Sequence, residues 1–287
     1  MSNLASSRLA PGLYIVAGPI GNLSDLTPRA AEILRLADIV AVEDSRVSAK
    51  LLRHAGSDRP MIPYHDHSDE RVRARLIDRM GMEAVALLSD AGTPLISDPG
   101  YKLVREARAA GHMVTTAPGP CALIAALSIC GLPTDRFLFM GFLPSKEKAR
   151  GDALAEVAAL RATLVTYESG PRLGKTLAAM ADVLGEREAA VAREISKTFE
   201  EIVTGTLAEL AERYADAGPR GEIVVIVGPP SDAPVVVEED AIDAALAEAL
   251  GRLSVSKAAG EVAKRFGLER RELYDRATAL REGPAEE

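Results

Sequence analysis

Tryptophan is absent from this chain, and aromatic residues make up only 4% of it, too few to pave a surface on which successive unpaired bases stack. Cysteine is nearly absent as well. Cys121 and Cys130 both fall in the apolar run CALIAALSIC, which excludes a disulfide framework and predicts two reduced, buried thiols. No apolar run approaches the roughly 20 residues of a membrane span, and the opening MSNLASSRLAPG has neither a continuous apolar core nor a cleavage signal. A cytoplasmic protein that avoids membranes is therefore expected. The sequence also lacks G-x-S-x-G, H-E-x-x-H, the full Walker signature G-x-x-x-x-G-K-[ST] (Gly174-Lys175-Thr176 has Ser169 where the first glycine would stand) and G-x-G-x-x-G, so no nucleophile elbow, zinc-protease helix, P-loop or dinucleotide turn is present. His65-Asp66-His67 could supply two ligands to a metal, but no further Cys or His cluster completes a tetrahedral set, and no metal site is expected. A net charge of -8 argues against indiscriminate binding to nucleic-acid phosphates, which needs clustered cations.

What the 287 residues do contain is apolar content of 47%, enough for two domains with cores of their own. Short apolar or β-branched runs at Leu13–Val16, Ile39–Val42, Met61–Tyr64, Ala84–Leu88 and Met113–Thr116 alternate with helical patterns, which reads as α/β. Thr27-Pro28 is a helix start, with a hydroxyl to cap and a proline at the first helical position. Gly56, Gly81 and Gly111 stand where helices should stop. A second series follows the turn Pro118-Gly119-Pro120. It holds an apolar helix from Cys121 to Cys130 and strands at Phe137–Met140, Thr163–Tyr167, Ala189–Arg193 and Glu222–Val227.

These patterns divide the chain into an α/β domain over 1–120, a second α/β domain over 121–230 and a helical appendage over 231–287. Pro229, Pro230 and Pro234 punctuate the linker to three helices, Glu238–Leu250, Ser256–Phe266 and Glu269–Leu280, with Gly267 folding the last two into a hairpin. Charge is uneven along this plan. From Arg252 to Arg281 eight basic residues, Lys264, Arg265, Arg270 and Arg271 among them, face four acidic ones, a local balance of +4 in an acidic chain. That segment is the candidate RNA-binding element, against the alternative of a solvated helix face. Lys146, Lys148 and Arg150 form a smaller basic group.

Chemistry concentrates between Leu87 and Pro120, where SDAGTP, SDPG and PGP each follow a short apolar run. Three such turns in an α/β pattern mark a ligand site at the carboxyl ends of strands, with glycine allowing close approach to the backbone and Asp90 offering an acceptor. Glu43, Asp44 and Arg46 follow the Ile39–Val42 run in the same way. Two readings of them stand side by side: a proton-accepting Asp44 with a phosphate-holding Arg46, or a helix N-cap beside a surface ion pair.

GPIGNLSDLTPRA (Gly18–Ala30), VEDSR (Val42–Arg46), SDAGTPLISDPG (Ser89–Gly100), PGPCA (Pro118–Ala122), GLPTDRF (Gly131–Phe137) and GFLP (Gly141–Pro144) resemble, in order, the bacterial 16S rRNA 2'-O-ribose cytidine methyltransferases. The resemblance continues through YES (Tyr167–Ser169), ARE (Ala192–Glu194), KTFE (Lys197–Glu200) and GEIVVIV (Gly221–Val227), over nearly the whole chain. That family is a branch of the tetrapyrrole-methylase superfamily. It implies two α/β domains with a cofactor cleft between them and a small C-terminal helical domain. It also implies methyl transfer from S-adenosylmethionine (AdoMet) to a cytidine ribose in the ribosomal decoding centre, with the small-subunit RNA, as the 30S particle or an assembly intermediate, for a partner, and a homodimeric state. Carried over by motif, the cofactor-binding set is Pro19, Asp90, Gly92, Thr93, Cys121, Ala122, Tyr167, Arg193, Glu222, Ile223 and Val224, and Glu43, Asp44 and Arg46 are the catalytic candidates. Asn22, Asp25, Asp98 and Lys197 fall near the cleft by the same match. The alternatives are a methylase acting on a tetrapyrrole-like ring and a non-catalytic ribosome-associated binding protein.

Overall fold

The computed structural model describes residues 8–65, 70–216, 218–230, 239–266, 268 and 270–282, without the side chains of 240, 264, 265 and 282. The chain divides into two compact units, Met1–Pro230 and Ser231–Glu287.

In the first unit, β1 (Gly12–Val16), β2 (Ile39–Val42), β3 (Met61–Pro63), β4 (Ala84–Leu88) and β5 (Val114–Ala117) form one sheet in the order β3-β2-β4-β1-β5. Every pairing in it is parallel. Strands β1, β2 and β4 are buried from end to end, as expected of a sheet covered on both faces. Alternation decides which face each side chain serves. Tyr14, Val16, Val40, Val42, Ala86 and Leu88 pack with α1 (Pro28–Leu36) and α2 (Ser45–Ala55). Leu13, Ile15, Ile39, Ala41, Val85 and Leu87 pack with α3 (Glu70–Arg79) and α4 (Tyr101–Ala109). Thr27 caps α1 by accepting from the Ala30 N–H at 3.1 Å, and Gly56 ends α2 with φ 69°.

After α5 (Ala122–Ile129) a second sheet forms from β6 (Phe137–Phe142), β7 (Thr163–Ser169), β8 (Glu188–Arg193), β9 (Glu201–Thr206) and β10 (Glu222–Val227), in the order β6-β7-β10-β8-β9. Only β6 and β7 run parallel; the other pairs are antiparallel. One face of this sheet packs on α6 (Glu147–Val157), α7 (Gly170–Leu184) and α8 (Leu207–Arg213), the other on α5 through Leu123, Ala126 and Leu127. The edge strand β9 was not among the expected strands. Its sequence EIVTGT is only half-buried and carries a glycine, so it lacks the continuous apolar signature of its buried neighbours. Arg150, grouped above with Lys146 and Lys148, is 6% exposed within α6. One of its guanidinium nitrogens donates to the Ser145 carbonyl at 3.4 Å, so it belongs to the packing rather than to a basic patch.

The second unit comprises α9 (Glu239–Leu250), α10 (Val255–Phe266) and α11 (Arg270–Glu282) around Leu246, Ala258, Ala259, Val262, Leu273 and Ala277. Pro234 and Gly267, assigned above to a linker and a hairpin, lie outside the described residues. Among the described residues no helix is long and apolar enough to cross a membrane.

Gly174 tests the packing of α7 against α8 with a favourable sign in hand. Alanine is the better helix former by about 1 kcal/mol, yet a Cβ at Gly174 would lie 2.3 Å from the Tyr214 carbonyl oxygen. Gly174→Ala is therefore expected to lower the thermal midpoint in calorimetry, and an unchanged or raised midpoint contradicts the close approach.

Candidate functional site

The carboxyl ends of β1, β4 and β5 meet in one knot of turns. Gly18 N–H donates to the Gly92 carbonyl at 2.8 Å, and Gly92 N–H returns a bond to the Pro19 carbonyl at 3.2 Å. Gly92 does this at φ 69°, a conformation that side chains disfavour, and a Cβ there would come within 3.1 Å of Ile20. The Thr93 hydroxyl then donates to the Pro120 carbonyl at 2.9 Å, which ties the SDAGTP turn to PGP. Asp90 reaches sideways: its carboxylate accepts from the Asp44 N–H at 3.1 Å, linking the ends of β4 and β2.

Between this knot and the second sheet lies a cavity of about 350 Å³. Gly92, Thr93, Ile96 and Asp98 line it from the first sheet's side. Cys121 and Ala122 at the start of α5 line it too, as do Tyr167 on β7, Ile195 beyond β8, and Glu222, Ile223 and Val224 on β10. Two facing loops share one backbone device. Leu95 and Ser97 have φ of 74° and 62°, and Glu194 and Ser196 have φ of 50° and 69°, so Ile96 and Ile195 are each presented to the cavity from between two left-handed residues. Strain of this kind persists only where the surroundings hold it in place. Here they do: the Ser196 hydroxyl bonds Asp25, and Lys197 pairs with Glu194 at 2.9 Å and Glu222 at 2.7 Å. The Lys197 stem crosses Gly21, where a Cβ would sit 2.3 Å from its Cγ. Asp25 and Lys197 thus lie where the two sheets' loops are joined.

Of the cofactor candidates, Gly92, Thr93, Cys121, Ala122, Tyr167, Glu222, Ile223 and Val224 come together on the cavity wall. Three do not. Pro19 and Asp90 serve in the knot behind it, and Arg193 is engaged by Glu201 at 3.2 Å and the Arg220 carbonyl at 3.3 Å. Asn22 caps the short helix Leu23–Asp25 by accepting from the Ser24 N–H at 3.1 Å. Cys130 is buried as expected, but Cys121 is half-buried and faces the cavity, because it precedes α5 rather than packing within it. His65 is exposed, and Asp66 and His67 lie outside the described residues. Ile96, Ile195 and Glu168 join the wall without having been singled out. Left-handed Leu, Ser and Glu residues leave no composition signal, and the Ile-Ser pair repeated in both loops is the one trace in the sequence.

Asp44 takes the N-cap position of α2, accepting from the Arg46 N–H at 2.8 Å, while its carboxylate pairs with the Arg46 guanidinium at 2.6 Å. Those two bonds hold Asp44 down at about 2. Of the two readings of this motif, the cap and ion pair are what the geometry displays. Glu43 is raised, first by burial and then by the nearby Asp90 carboxylate, with His65 opposing. Asp98 is pushed up to about 6, chiefly by burial and next by Glu43, against a hydrogen bond from the Ser89 hydroxyl. Burial also raises the Tyr167 phenol, with the neighbouring Cys121 adding to it, and the Tyr167 oxygen accepts from the Leu123 N–H at 3.3 Å. The Glu168 carboxylate is fully engaged, by Thr176 at 2.6 Å, the Ser169 N–H at 2.8 Å and Arg172 at 3.3 Å. Apolar walls, a close-approach glycine and a few oriented polar groups are the features of a small-molecule pocket.

In the second unit the cations are unequally free. Arg252 pairs with Glu261 at 3.2 Å and Arg276 with Asp243 at 3.0 Å, while exposed Arg270 donates to the Ser256 hydroxyl at 2.9 Å. Arg271, Lys257 and Arg281 are exposed. The side chains of Lys264 and Arg265 lie outside the described ones.

Comparison with known proteins gives consistent matches. The family model for Tetrapyrrole (Corrin/Porphyrin) Methylases matches residues 12–211, and the model for the RsmI C-terminal HTH domain matches residues 236–281. The chain is 50% identical to the ribosomal RNA small subunit methyltransferase I of Mesorhizobium japonicum, over 99% of this chain and 97% of that protein. It is 52% identical to the protein of that name from Erythrobacter litoralis, over 96% of this chain and 98% of the relative. Among solved structures it resembles a cobalt precorrin-4 methyltransferase (TM-score 0.57, 20% identity, 75% of this chain and 94% of the other). It also resembles the Thermus thermophilus uroporphyrin-III C-methyltransferase complexed with S-adenosyl homocysteine (TM-score 0.53, 22% identity, 76% and 97%). These two structures bear on the fold.

Because Asp98 titrates higher in the folded protein than in the unfolded chain, the stability it contributes is complete below about pH 4 and is lost as pH rises through about 6. Asp98→Asn removes that loss. In denaturant titrations the variant is expected to be more stable than wild type at pH 7.5 by on the order of 2 kcal/mol, after discounting for partial solvent screening. The gap closes below pH 4, and a variant less stable than wild type at pH 7.5 contradicts the assignment.

Proposed function

The chain belongs to the tetrapyrrole methylases, and we propose that it transfers a methyl group from AdoMet to the 2'-hydroxyl of a cytidine in the decoding centre of 16S rRNA. The observation that carries this reading is the cavity between the two sheets, with the Gly92 backbone on one side and Ile223 and Val224 on the other. A nucleoside needs an apolar slot and close backbone donors and acceptors. The walls from Ile96, Ile195, Ile223 and Val224 fit the first need, and the side-chain-free Gly92 fits the second. When bound, AdoMet supplies the electrophilic methyl group, so the protein's task is alignment and the exclusion of water rather than nucleophilic attack.

In this reading Gly92, Thr93, Cys121, Ala122, Tyr167, Glu222, Ile223 and Val224 contact the cofactor directly, and Pro19 and Asp90 fix the turn that does so. Arg193 orients the end of β8. Arg46, exposed in the first turn of α2, meets substrate phosphate, and Asp44 orients it; Glu43 adds to the acidic neighbourhood. The three-helix unit supplies RNA affinity through Lys264, Arg265, Arg270 and Arg271. The division into domains 1–120, 121–230 and 231–287 then assigns cofactor binding to the first two and substrate capture to the third. The substrate is the 30S particle or an assembly intermediate, the site of action is the cytoplasm, and the protein acts as a homodimer. The names of the relatives and the match of the C-terminal unit favour RNA over a tetrapyrrole ring as acceptor.

Incubating 30S subunits from a strain lacking this protein with purified enzyme and methyl-labelled AdoMet, then mapping the label, tests the reading. One methylated cytidine ribose is expected; label on no RNA contradicts it. Gly92→Val should weaken AdoMet binding at least tenfold in calorimetry, about 1.4 kcal/mol, because a branched side chain at φ 69° is strained and presses on Ile20 and the Pro120 carbonyl, displacing the turn that faces the cavity. Wild-type affinity in the folded variant removes Gly92 from the site. Changing Lys264, Arg265, Arg270 and Arg271 together to Glu should raise the apparent KM for 30S subunits, leave AdoMet binding unchanged and flatten the salt dependence of particle binding. Wild-type methylation across a salt series assigns RNA capture elsewhere.

A further inference from the structure

If the acceptor is a ribose hydroxyl, some group must take its proton, and the residues at the cavity differ sharply in their freedom to do so. Asp44 is spent on a helix cap and an ion pair and is absent from the cavity wall. Three carboxyl side chains line that wall: Asp98, Glu168 and Glu222. Glu168 accepts from Thr176 and Ser169 and pairs with Arg172, so its lone pairs are taken. Glu222 is neutralised by Lys197 at 2.7 Å. Asp98 has neither burden. Among the described residues no cation lies within ion-pair distance of it, and the neighbouring Ser89 hydroxyl is what opposes the rise in its proton affinity. It does not cap the helix that follows, since α4 starts from Gly100 without a side-chain cap.

Backbone geometry holds Asp98 where it is. Leu95 and Ser97 just before it are left-handed, and Gly100 just after it has φ 133°. A Cβ at Gly100 would lie 2.8 Å from Leu87, so the loop is pressed against β4. A local fold this costly does not arise from turn propensity alone. It places a carboxyl group on a cavity wall whose other members are largely apolar.

We propose that Asp98 is the proton acceptor for the methyl-acceptor hydroxyl. This assignment rests on the methyl-transfer reading given above. In the step, the hydroxyl oxygen forms a bond to the methyl carbon as the methyl–sulfur bond breaks, leaving its electron pair on sulfur. The hydroxyl proton passes to the Asp98 carboxylate and from there to solvent. The groups that face Asp98 set its basicity from several elements. They are Glu43 after β2, Ser89 and Asp90 after β4, Tyr167 on β7 and Glu222 at the start of β10. Burial and the three like charges raise its proton affinity to about 6, while the Ser89 hydroxyl moderates it, so at neutral pH it is ionised yet far more basic than Asp44.

The test is single-turnover methylation of 30S subunits by wild type, Asp98→Asn and Asp98→Glu from pH 5 to 9, with AdoMet affinity measured in parallel. Wild type is expected to show a rate that rises with pH and levels above about 6. Asp98→Asn should lose about 100-fold or more in rate along with that rising limb, while its AdoMet affinity stays within about threefold. Asp98→Glu should recover part of the rate and the limb. A folded Asp98→Asn with the wild-type rate and pH profile overturns the assignment and leaves methyl transfer intact. Loss of AdoMet binding in that variant also overturns it, making Asp98 a cofactor-binding residue. If wild type binds AdoMet but methylates no RNA, the failure belongs to the reading of function, and the proton-acceptor assignment falls with it.

Discussion

The pair of backbone hydrogen bonds between Gly92 and the Gly18-Pro19 turn is the constraint on which the rest of the site depends. Parallel strands deliver their carboxyl ends to one edge, but nothing in strand pairing decides how the turns beyond that edge are arranged. The exchange between Gly92 and the first turn fixes two of them, and Thr93 fixes a third through the Pro120 carbonyl. Since Pro120 leads directly into α5, the same knot sets where the apolar face carrying Leu123, Ala126 and Leu127 meets the second sheet. The cavity is thus a consequence of turn geometry as much as of either sheet.

Electrostatics divides the acidic residues around this knot into two classes. Asp44, Glu194 and Glu222 are paired with cations, and the first two are held below the ordinary carboxylate range by their hydrogen bonds. Asp98 and Glu43 are left without such partners among the described residues and titrate high. The paired class does structural work: it caps α2 and, through Lys197, joins the loop after β8 to the first turn. The unpaired class costs stability, because burying a charge without a counterion is unfavourable. Such a cost is tolerated where a basic, incompletely solvated carboxylate serves a purpose.

Much of the fold was legible because its central strands are short, mainly apolar runs bounded by acidic or turn-forming residues, and Ile39–Val42, Ala84–Leu88 and Glu222–Val227 appear in the structure with the expected bounds. The edge strand β9 was not, since a half-buried strand with a glycine does not differ locally from a loop. The site was legible where it is made of turns. SDAGTP and PGP could be placed at strand ends from composition alone; the first borders the cavity, and the second is tied to it through the Thr93 hydroxyl and leads into Cys121 and Ala122 on the wall. Asp44 and Asp98 show the limit. Both are aspartates beside a turn, and what separates them is their surroundings. Asp44 has Arg46 two residues along the chain, whereas Asp98 has near it Asp90 from the preceding turn and Glu43 and Glu222 from distant segments. No local reading of the sequence supplies Glu43 and Glu222.

The central claim is that the cavity between the two sheets is the AdoMet site, built on the Gly92 turn. A crystal structure of the protein soaked with S-adenosylhomocysteine tests it most directly. The account predicts the ligand inside this cavity, against the Ala91–Gly92 backbone on one side and Ile223 and Val224 on the other, with its sulfur on the side of Asp98. Ligand bound elsewhere, or bound here only after the Gly18–Gly92 hydrogen bond has broken, would contradict it.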